Sequence, residues 1–369
     1  MFYLLENDMY VNKEEQQVLN IFKELLDKYD KQGTREVRDG HTRVSVFGKQ
    51  CRFNLNESFP LLTHRQLFVR GIFQELMWML RGQTDNQILK DQNVHIWDLW
   101  EGQIDKDNPT ELGKIYGHMW RNFGEVQTDN VLEYFNTESQ LIETGNFEAQ
   151  KGFDQIEWVI NEIKTNPTSS RLIVSGWDPH ISTQTPKEAV LPCCHLLFQF
   201  FVEDMTLEER KTWVNNNYEG GGLKAISDHS KAFPNQYPIS SSEVDYKENH
   251  QNVCDFVGAP KAKLSCQLYQ RSSDCSTASG YNIAAYSLLT HMIAQQCDLD
   301  VGEFVWSLGD VHFYGDQVED VRIMSERETH PFPKIKIKKA KDIYSYEWSD
   351  IEIIGYKHSG KLNNLKVSV

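Results

Sequence analysis

The sequence predicts an α/β fold, and three observations carry that expectation. Segments of strand character alternate with segments of helical period along most of the 369 residues. The stretch YNIAAYSLLTHMIAQQC (281–297) has helical length and is apolar on most sides, as a helix at the centre of a domain would be. Two strand-like segments, 196–202 and 263–271, would pair naturally as a hairpin across everything between them.

Taken in order, Asn12 followed by Glu15 reads as a helix start, with Val18, Phe22, Leu25 and Tyr29 at helical spacing behind it. HTRVSVFGKQCRFNL (41–55) alternates and is β-branched at its start, so a strand is expected. LFVRGIFQELMWML (67–80) has the 3.6-residue apolar period of a buried helix. SSRLIVSGW, HLLFQFFV and KLSCQLYQRS read as three further strands, and EFVWSLGDVHFY as a last one. Two stretches look inserted. Residues 125–152 are polar and weakly periodic, and 204–260 holds GGG, scattered Asn and Ser, and little periodicity. With no linker and no second core visible, 1–369 is expected to be a single catalytic domain carrying both inserts.

Composition narrows the function. The net charge of -15 opposes tight binding to duplex nucleic acid, so no nucleic-acid partner is expected. It leaves room for a small anionic ligand held by a few local arginines. No apolar run reaches about 18 residues, so no membrane partner is expected. MFYLLENDMYVNKEEQ lacks the basic lead and apolar stretch of a signal peptide, which makes a cytoplasmic location the expectation. Seven cysteines, an odd count with no CxxC pair, suggest reduced thiols and no metal site.

The residues with chemical potential fall at strand ends. In VLPCCHLLFQF, Cys194 follows a proline turn where a strand begins and backbone amides are free, a setting that favours a thiolate. His195 cannot be its direct base in a regular strand, because successive side chains point to opposite faces. A lone thiolate then needs cationic company. Glu75, inside the apolar IFQELMWML helix, could be a desolvated acid with a raised pKa or simply a helix-edge carboxylate. QRSSD (270–274) offers a guanidinium, hydroxyls and a carboxylate, and GDVHFY (309–314) puts His312 and Tyr314 on one face. Singly these could be caps and a core histidine; together they suit a phosphorylated small molecule with sugar hydroxyls.

On these residues the chain resembles thymidylate synthase and its relatives, the virus-encoded pyrimidine nucleotide hydroxymethylases. LPCCH is similar to the family's LPPCH nucleophile motif. VSVFGKQCRFNL, FPLLT, QELMWMLRGQTDN, HIWDLW and IYGHMWRNF match in order, as do KLSCQLYQRSSD, YNIAAYSLLTHMIAQQCDLDVGEFVW and GDVHFY. The likeness covers about 30–123, 153–202 and 262–369, leaving both inserts unmatched. It implies the thymidylate synthase fold: a large mixed β-sheet with flanking helices, packed sheet to sheet in a homodimer.

It also implies roles. Cys194 would add to C6 of the pyrimidine of dUMP, and Glu75 would act as general acid/base through water. Arg38, Arg271 and Ser272 would hold the 5′-phosphate, joined by Arg171 from the partner subunit. His312 and Tyr314 would take the ribose 3′-hydroxyl. Asn282 would read the base edge, with an amide suiting uracil where an acidic residue suits cytosine. Asp274, Trp97, Trp100, Thr277, Ala278 and Tyr281 would bind the cosubstrate 5,10-methylenetetrahydrofolate, Tyr116 would line the cavity, and His195 and Gln270 would support. Thiolate addition at C6 makes C5 nucleophilic, C5 takes the one-carbon unit, and either hydride or water completes the product.

Three departures from the family pattern weigh on that last step. Ser170-Arg171 replaces a pair of arginines, so one phosphate cation is missing unless Arg35, Arg43 or an insert residue compensates. Thr277-Ala278 replaces Leu-Gly beside the folate, and Cys193 replaces the second proline of LPPCH. A more polar wall admits water, so the expected product is 5-hydroxymethyl-dUMP, with dTMP and dihydrofolate as the alternative. Retained Trp97 and a tail, LKVSV, like the one that closes over synthase sites weigh toward dTMP. A virus-encoded enzyme would work in the host cytoplasm. A silent binding relative and an unrelated cysteine hydrolase are the readings from other classes. The first is opposed by intact Cys194, Glu75, Asn282 and Asp274, the second by the opposed faces of Cys194 and His195.

Overall fold

The computed structural model describes residues 11–38, 40–125, 132–135, 141–145, 151–234 and 243–362. The chain opens with α1 (Lys13–Gln32), β1 (Arg35–Arg38), β2 (His41–Asn54), α2 (Val69–Leu80), α3 (Gln87–Lys90) and α4 (Tyr116–Arg121). β3 (Leu132–Phe135) and β4 (Leu141–Gly145) pair as a small hairpin, followed by α5 (Gln155–Thr165), β5 (Ile173–Ser175), α6 (Pro179–Ser182) and β6 (His195–Asp204). Then come α7 (Leu207–Asn217), α8 (Gly221–Ala232), α9 (Glu243–Phe256), β7 (Ala262–Asp274), α10 (Ser279–Gln296), β8 (Asp300–Tyr314), α11 (Val318–Glu326), β9 (Lys334–Ile337) and β10 (Ile351–Ile354).

Six strands form one mixed sheet in the order β1-β2-β8-β7-β6-β5. The hairpin expected from the sequence is present: β6 and β7 run antiparallel, with His195 opposite Gln270 and Phe200 opposite Cys266. β7 and β8 are parallel, and α10 is the crossover between them. That topology explains the unusual apolarity of α10. Ile283, Ala284, Leu289, Met292 and Ile293 are all buried, so helix faces that would ordinarily meet water are covered.

Asn12 caps α1 as its sequence signature suggests, accepting the N–H groups of Glu14 and Glu15. Glu15 does not complete a capping box. It is fully buried and instead accepts the backbone N–H groups of Thr63 and His64 and meets His64 Nδ1 at 2.8 Å, tying α1 to the 59–65 segment.

A facing pair of glycines turns the sheet. The β2–β8 register places Gly48 opposite Gly309, and Gly48 has φ +73°, a conformation that favours glycine. A Cβ on Gly309 would lie 2.7 Å from the Arg271 carbonyl oxygen. Side chains that join the main hydrophobic core on β8 run Phe304, Trp306, Leu308 before this pair and Val311, Phe313 after it; on β2 they run Cys51, Phe53 and then Val46, Val44. Side-chain parity therefore switches on both strands together, which redirects Asp310, His312 and Tyr314 along with Arg43 and Ser45.

Both inserts have more structure than their composition suggests. Phe123 and Phe153 bridge backbone to backbone, so 125–152 is an excursion whose ends meet. Despite its weak periodicity, 204–260 holds three helices, α7 to α9. They share a small core of Val214, Ala225, Val253, Cys254 and Ala259. The signal is weak because so few apolar residues are needed, and the remainder is done by polar devices. Thr206 and Glu209 form a capping box on α7, and buried Arg210 donates to Asp255 and to the carbonyls of Ala259 and Pro260.

Candidate active site

The strand start at residue 195 and the end of β7 bring the candidate nucleophile to its cation. Arg271 N–H donates to the Cys194 carbonyl, and its guanidinium donates to the carbonyls of Cys193 (3.0 Å) and Pro192 (2.7 Å). So anchored, Arg271 Nη2 lies 3.8 Å from Cys194 Sγ. Cys194 is half-buried whereas Cys193 is buried. Burial raises the Cys194 thiol pKa, opposed by the Arg271 charge and by the Tyr116 hydroxyl. The buried setting thus disfavours the thiolate. The cationic neighbour limits its cost, as an opposite charge at this range does.

Tyr116, at the start of α4, also accepts from the Cys194 N–H at 2.9 Å and packs its ring on His195. His195 turns away from the thiol. Its Nδ1 meets the Tyr286 hydroxyl at 3.1 Å, and burial pushes its pKa down to about 4, so it stands as a neutral imidazole. Cys194 lies just before β6, outside the strand alternation, and the two side chains meet different partners, Arg271 for the thiol and Tyr286 for the imidazole.

Glu75 lies in α2 with its carboxylate against the Trp97 indole. Buried surroundings raise its pKa to about 7, against the lowering effect of the Trp97 indole N–H, which donates to Oε1 at 2.8 Å. A carboxyl poised there can give or take a proton near neutrality. Trp97 in turn packs on Trp78, Trp100 and Tyr116, so the acid is held against an aromatic wall.

Asn282, one turn into α10, is oriented by a relay. The indole of buried Trp306 can only donate, and it donates to Gln270 Oε1 at 2.9 Å. That fixes the Gln270 amide, whose Nε2 donates to the Ser272 carbonyl. Asn282 Nδ2 must therefore be the atom facing Gln270 Oε1, at 3.2 Å. One amide N–H and the carbonyl oxygen remain for other partners, and that oxygen is also within reach of His195. A donor beside an acceptor in fixed order can meet a ring edge that offers one of each.

On β8, His312 Nδ1 lies 3.2 Å from Asp310 Oδ1, and Asp310 Oδ2 pairs with Arg43 at 2.7 Å. Tyr314 stands edge-on to His312 with ring centroids 5.3 Å apart. Arg43, one candidate for the missing phosphate cation, is thus already committed to Asp310. Arg210, the buried arginine of the insert, is likewise committed to Asp255.

Of the residues assigned to folate, Asp274, Thr277, Ala278 and Tyr281 lie around the N-terminus of α10, while Trp97 and Trp100 belong to the aromatic wall beside Glu75. Asp274 Oδ1 accepts from Ser276 N–H, Ser276 Oγ–H and Thr277 N–H, while Oδ2 accepts from Gln317. Oδ2 keeps capacity for one more donor, such as a pterin N–H. Arg65, not singled out from the sequence, is buried beneath this loop. It donates to the Thr277 carbonyl at 2.7 Å and lies 5.7 Å from the Tyr281 ring centroid. Ala278 precedes α10 and accepts from Asn282 N–H. The Tyr281 ring, an acceptor with spare capacity on Asp274 and the Arg65 guanidinium are thus gathered at this end of α10.

Ser272 lies opposite Asp310 on the sheet. Arg171 is exposed at the β5 edge, and Ser170 beside it is exposed too. The Arg38 side chain lies outside the described residues, as does the 365–369 tail. Among the described residues no group of three or more His, Cys, Asp or Glu is placed to hold a metal, and no helix is long and apolar enough to cross a membrane. Sequence reasoning missed Arg65, Trp306, Gln317, Asp310 and Tyr286. Only Asp310 had a local signal, in GDVHFY; the others act through contacts distant in sequence.

The mixed sheet and its helices thus gather a cysteine beside an arginine, a carboxyl of raised pKa and an oriented amide. The sequence profile described as thymidylate synthase matches residues 16–213 and 246–369. The chain belongs to the thymidylate synthase family, a family of folate-dependent one-carbon transferases. It is 32% identical over 368 residues to a bifunctional dihydrofolate reductase-thymidylate synthase of Paramecium tetraurelia. That alignment takes in 98% of this chain and 63% of the relative, so the chain spans less than two thirds of the relative's length. The profile narrows the unmatched part of the long insert to 214–245 and runs through 125–152.

Proposed function

We propose that this chain transfers a one-carbon unit from 5,10-methylenetetrahydrofolate to C5 of dUMP through a covalent bond between Cys194 Sγ and C6 of the base. The observation that carries the reading is the continuous contact from Cys194 through Arg271 and Gln270 to Asn282, which joins nucleophile, cation and base reader. Arg271 and Ser272 supply phosphate donors at the end of β7, with Arg38 the third group assigned there. Glu75 exchanges protons with the base through water. Asp274, Trp97, Trp100 and Tyr281 hold the folate, which supplies the carbon.

We further propose dTMP as the product. Trp97 is 7% exposed and pinned by Glu75, which keeps the wall dry where water would intercept the intermediate. The polar backbone groups of Thr277 are already used, its N–H by Asp274 and its carbonyl by Arg65. The Thr277 hydroxyl, standing where the family has leucine, favours the second reading, 5-hydroxymethyl-dUMP. Mass analysis of the nucleotide formed, with dihydrofolate absorbance, separates them. dTMP with equimolar dihydrofolate is expected, and a hydroxymethyl product without dihydrofolate would overturn the assignment.

A homodimer is part of the proposal. One sheet face carries Leu197, Phe201, Tyr269 and Ile173, all exposed in the single chain, beside polar Gln50, Gln267 and Ser307 joined by hydrogen bonds. Exposed Arg171 at its edge is available to a partner's phosphate site.

A further inference from the structure

We propose that Arg43 is a positioning residue for recognition of the ribose 3′-hydroxyl, acting through Asp310 on His312. The inference rests on the nucleotide reading above and names a residue that reading does not use. Three side chains lie in line on the redirected face of β2 and β8. The Arg43 guanidinium meets Asp310 Oδ2 at 2.7 Å, and Asp310 Oδ1 meets His312 Nδ1 at 3.2 Å.

The chemistry follows from what each group can do. An ionised carboxylate only accepts, so His312 Nδ1 must carry the proton in this contact. That leaves Nε2 of the neutral ring as an acceptor, the partner a hydroxyl donor requires. Without Arg43 the carboxylate would keep only neutral partners, His312 and the Ser45 hydroxyl, and would be freer to swing or protonate. A guanidinium on its other oxygen holds both its charge and its orientation, as outer partners do for metal-bound histidines. The pair is partly shielded, its side chains 21% and 28% exposed, so water screens it incompletely.

A purely architectural role fits Arg43 less well. Its Nε–H is buried and has no protein partner among the described residues, so the side chain is not locked by a network of its own. Asp310 is its only ion-pair partner among them. The cross-strand neighbours of Arg43 and Ser45 are Tyr314 and His312, the two residues assigned to the 3′-hydroxyl.

The test is equilibrium binding of dUMP and of its 3′-deoxy analogue, 2′,3′-dideoxyuridine 5′-monophosphate, to the full chain and to Arg43→Met and Arg43→Lys. The full chain should prefer dUMP by about tenfold, the worth of one good hydrogen bond. Arg43→Met should bring the ratio to within about twofold by weakening dUMP alone. Arg43→Lys, which keeps a cation for Asp310, should retain most of the preference and serves if the methionine variant does not fold. Equal weakening of both nucleotides, or an unchanged ratio, would overturn the inference while leaving the nucleotide site intact. Failure of the unaltered chain to bind either nucleotide would overturn the site and the inference together.

Discussion

Arg271 holds its guanidinium 3.8 Å from Cys194 Sγ by donating to the carbonyls of the two residues just before that cysteine. Nucleophile and cation are thus positioned by one short piece of backbone. Arg271→Gln should move the pH profile of Cys194 alkylation upward by about one unit, the size of a lost opposite charge at this range. Peptide mass analysis after timed alkylation reads it; an unmoved profile would show that the guanidinium does not tune the thiol.

Glu75 makes a prediction about stability. Its pKa is raised from 4.5 to about 7 in the fold, so the folded state binds the extra proton between those values. Stability contributed by the protonated form is present below about pH 4.5 and is lost as pH rises toward 7. After discounting for partial exposure the loss is about 2–3 kcal/mol. Glu75→Gln removes the titration, so its advantage over the unaltered chain should grow between pH 5 and pH 8 in urea unfolding. A pH-independent difference would contradict the raised pKa.

Asn282→Asp should shift selectivity toward dCMP, because a protonated carboxyl or a carboxylate meets the cytosine edge better than an amide does. The relative kcat/KM for dUMP and dCMP measures it, with a swing of at least about 100-fold expected from a reversed polar pair. Unchanged selectivity would remove Asn282 from base reading.

The exposed sheet face predicts a dimer that one charge can disrupt. Phe201 is 63% exposed in the single chain, so Phe201→Glu should leave the subunit folded. Sedimentation velocity at micromolar concentration should show a dimer for the unaltered chain and a monomer for the variant. A monomeric unaltered chain would rule the interface out.

The sequence shows most of the sheet, because its strands have clear alternation and the 196–202 and 263–271 segments pair as their pattern requires. The residues assigned to substrate also sit in recognisable local motifs. What stayed hidden was of two kinds. Among the described residues the insert's small core holds five buried apolar residues, too few to impose a period on a polar segment. The supporting side chains act across long sequence separations: Arg65 on Thr277, Trp306 on Gln270, Arg43 on Asp310. No local pattern announces such a contact, and the parity switch at Gly48 and Gly309 alters which residues share a face.

The central claim is that Cys194 activates C5 of dUMP for one-carbon transfer. Release of tritium from C5-tritiated dUMP tests it most directly. The account predicts release that requires methylenetetrahydrofolate and falls at least about 1,000-fold in Cys194→Ser, while that variant still binds dUMP. Binding of dUMP without release by the unaltered chain, or appreciable release by Cys194→Ser, would contradict it.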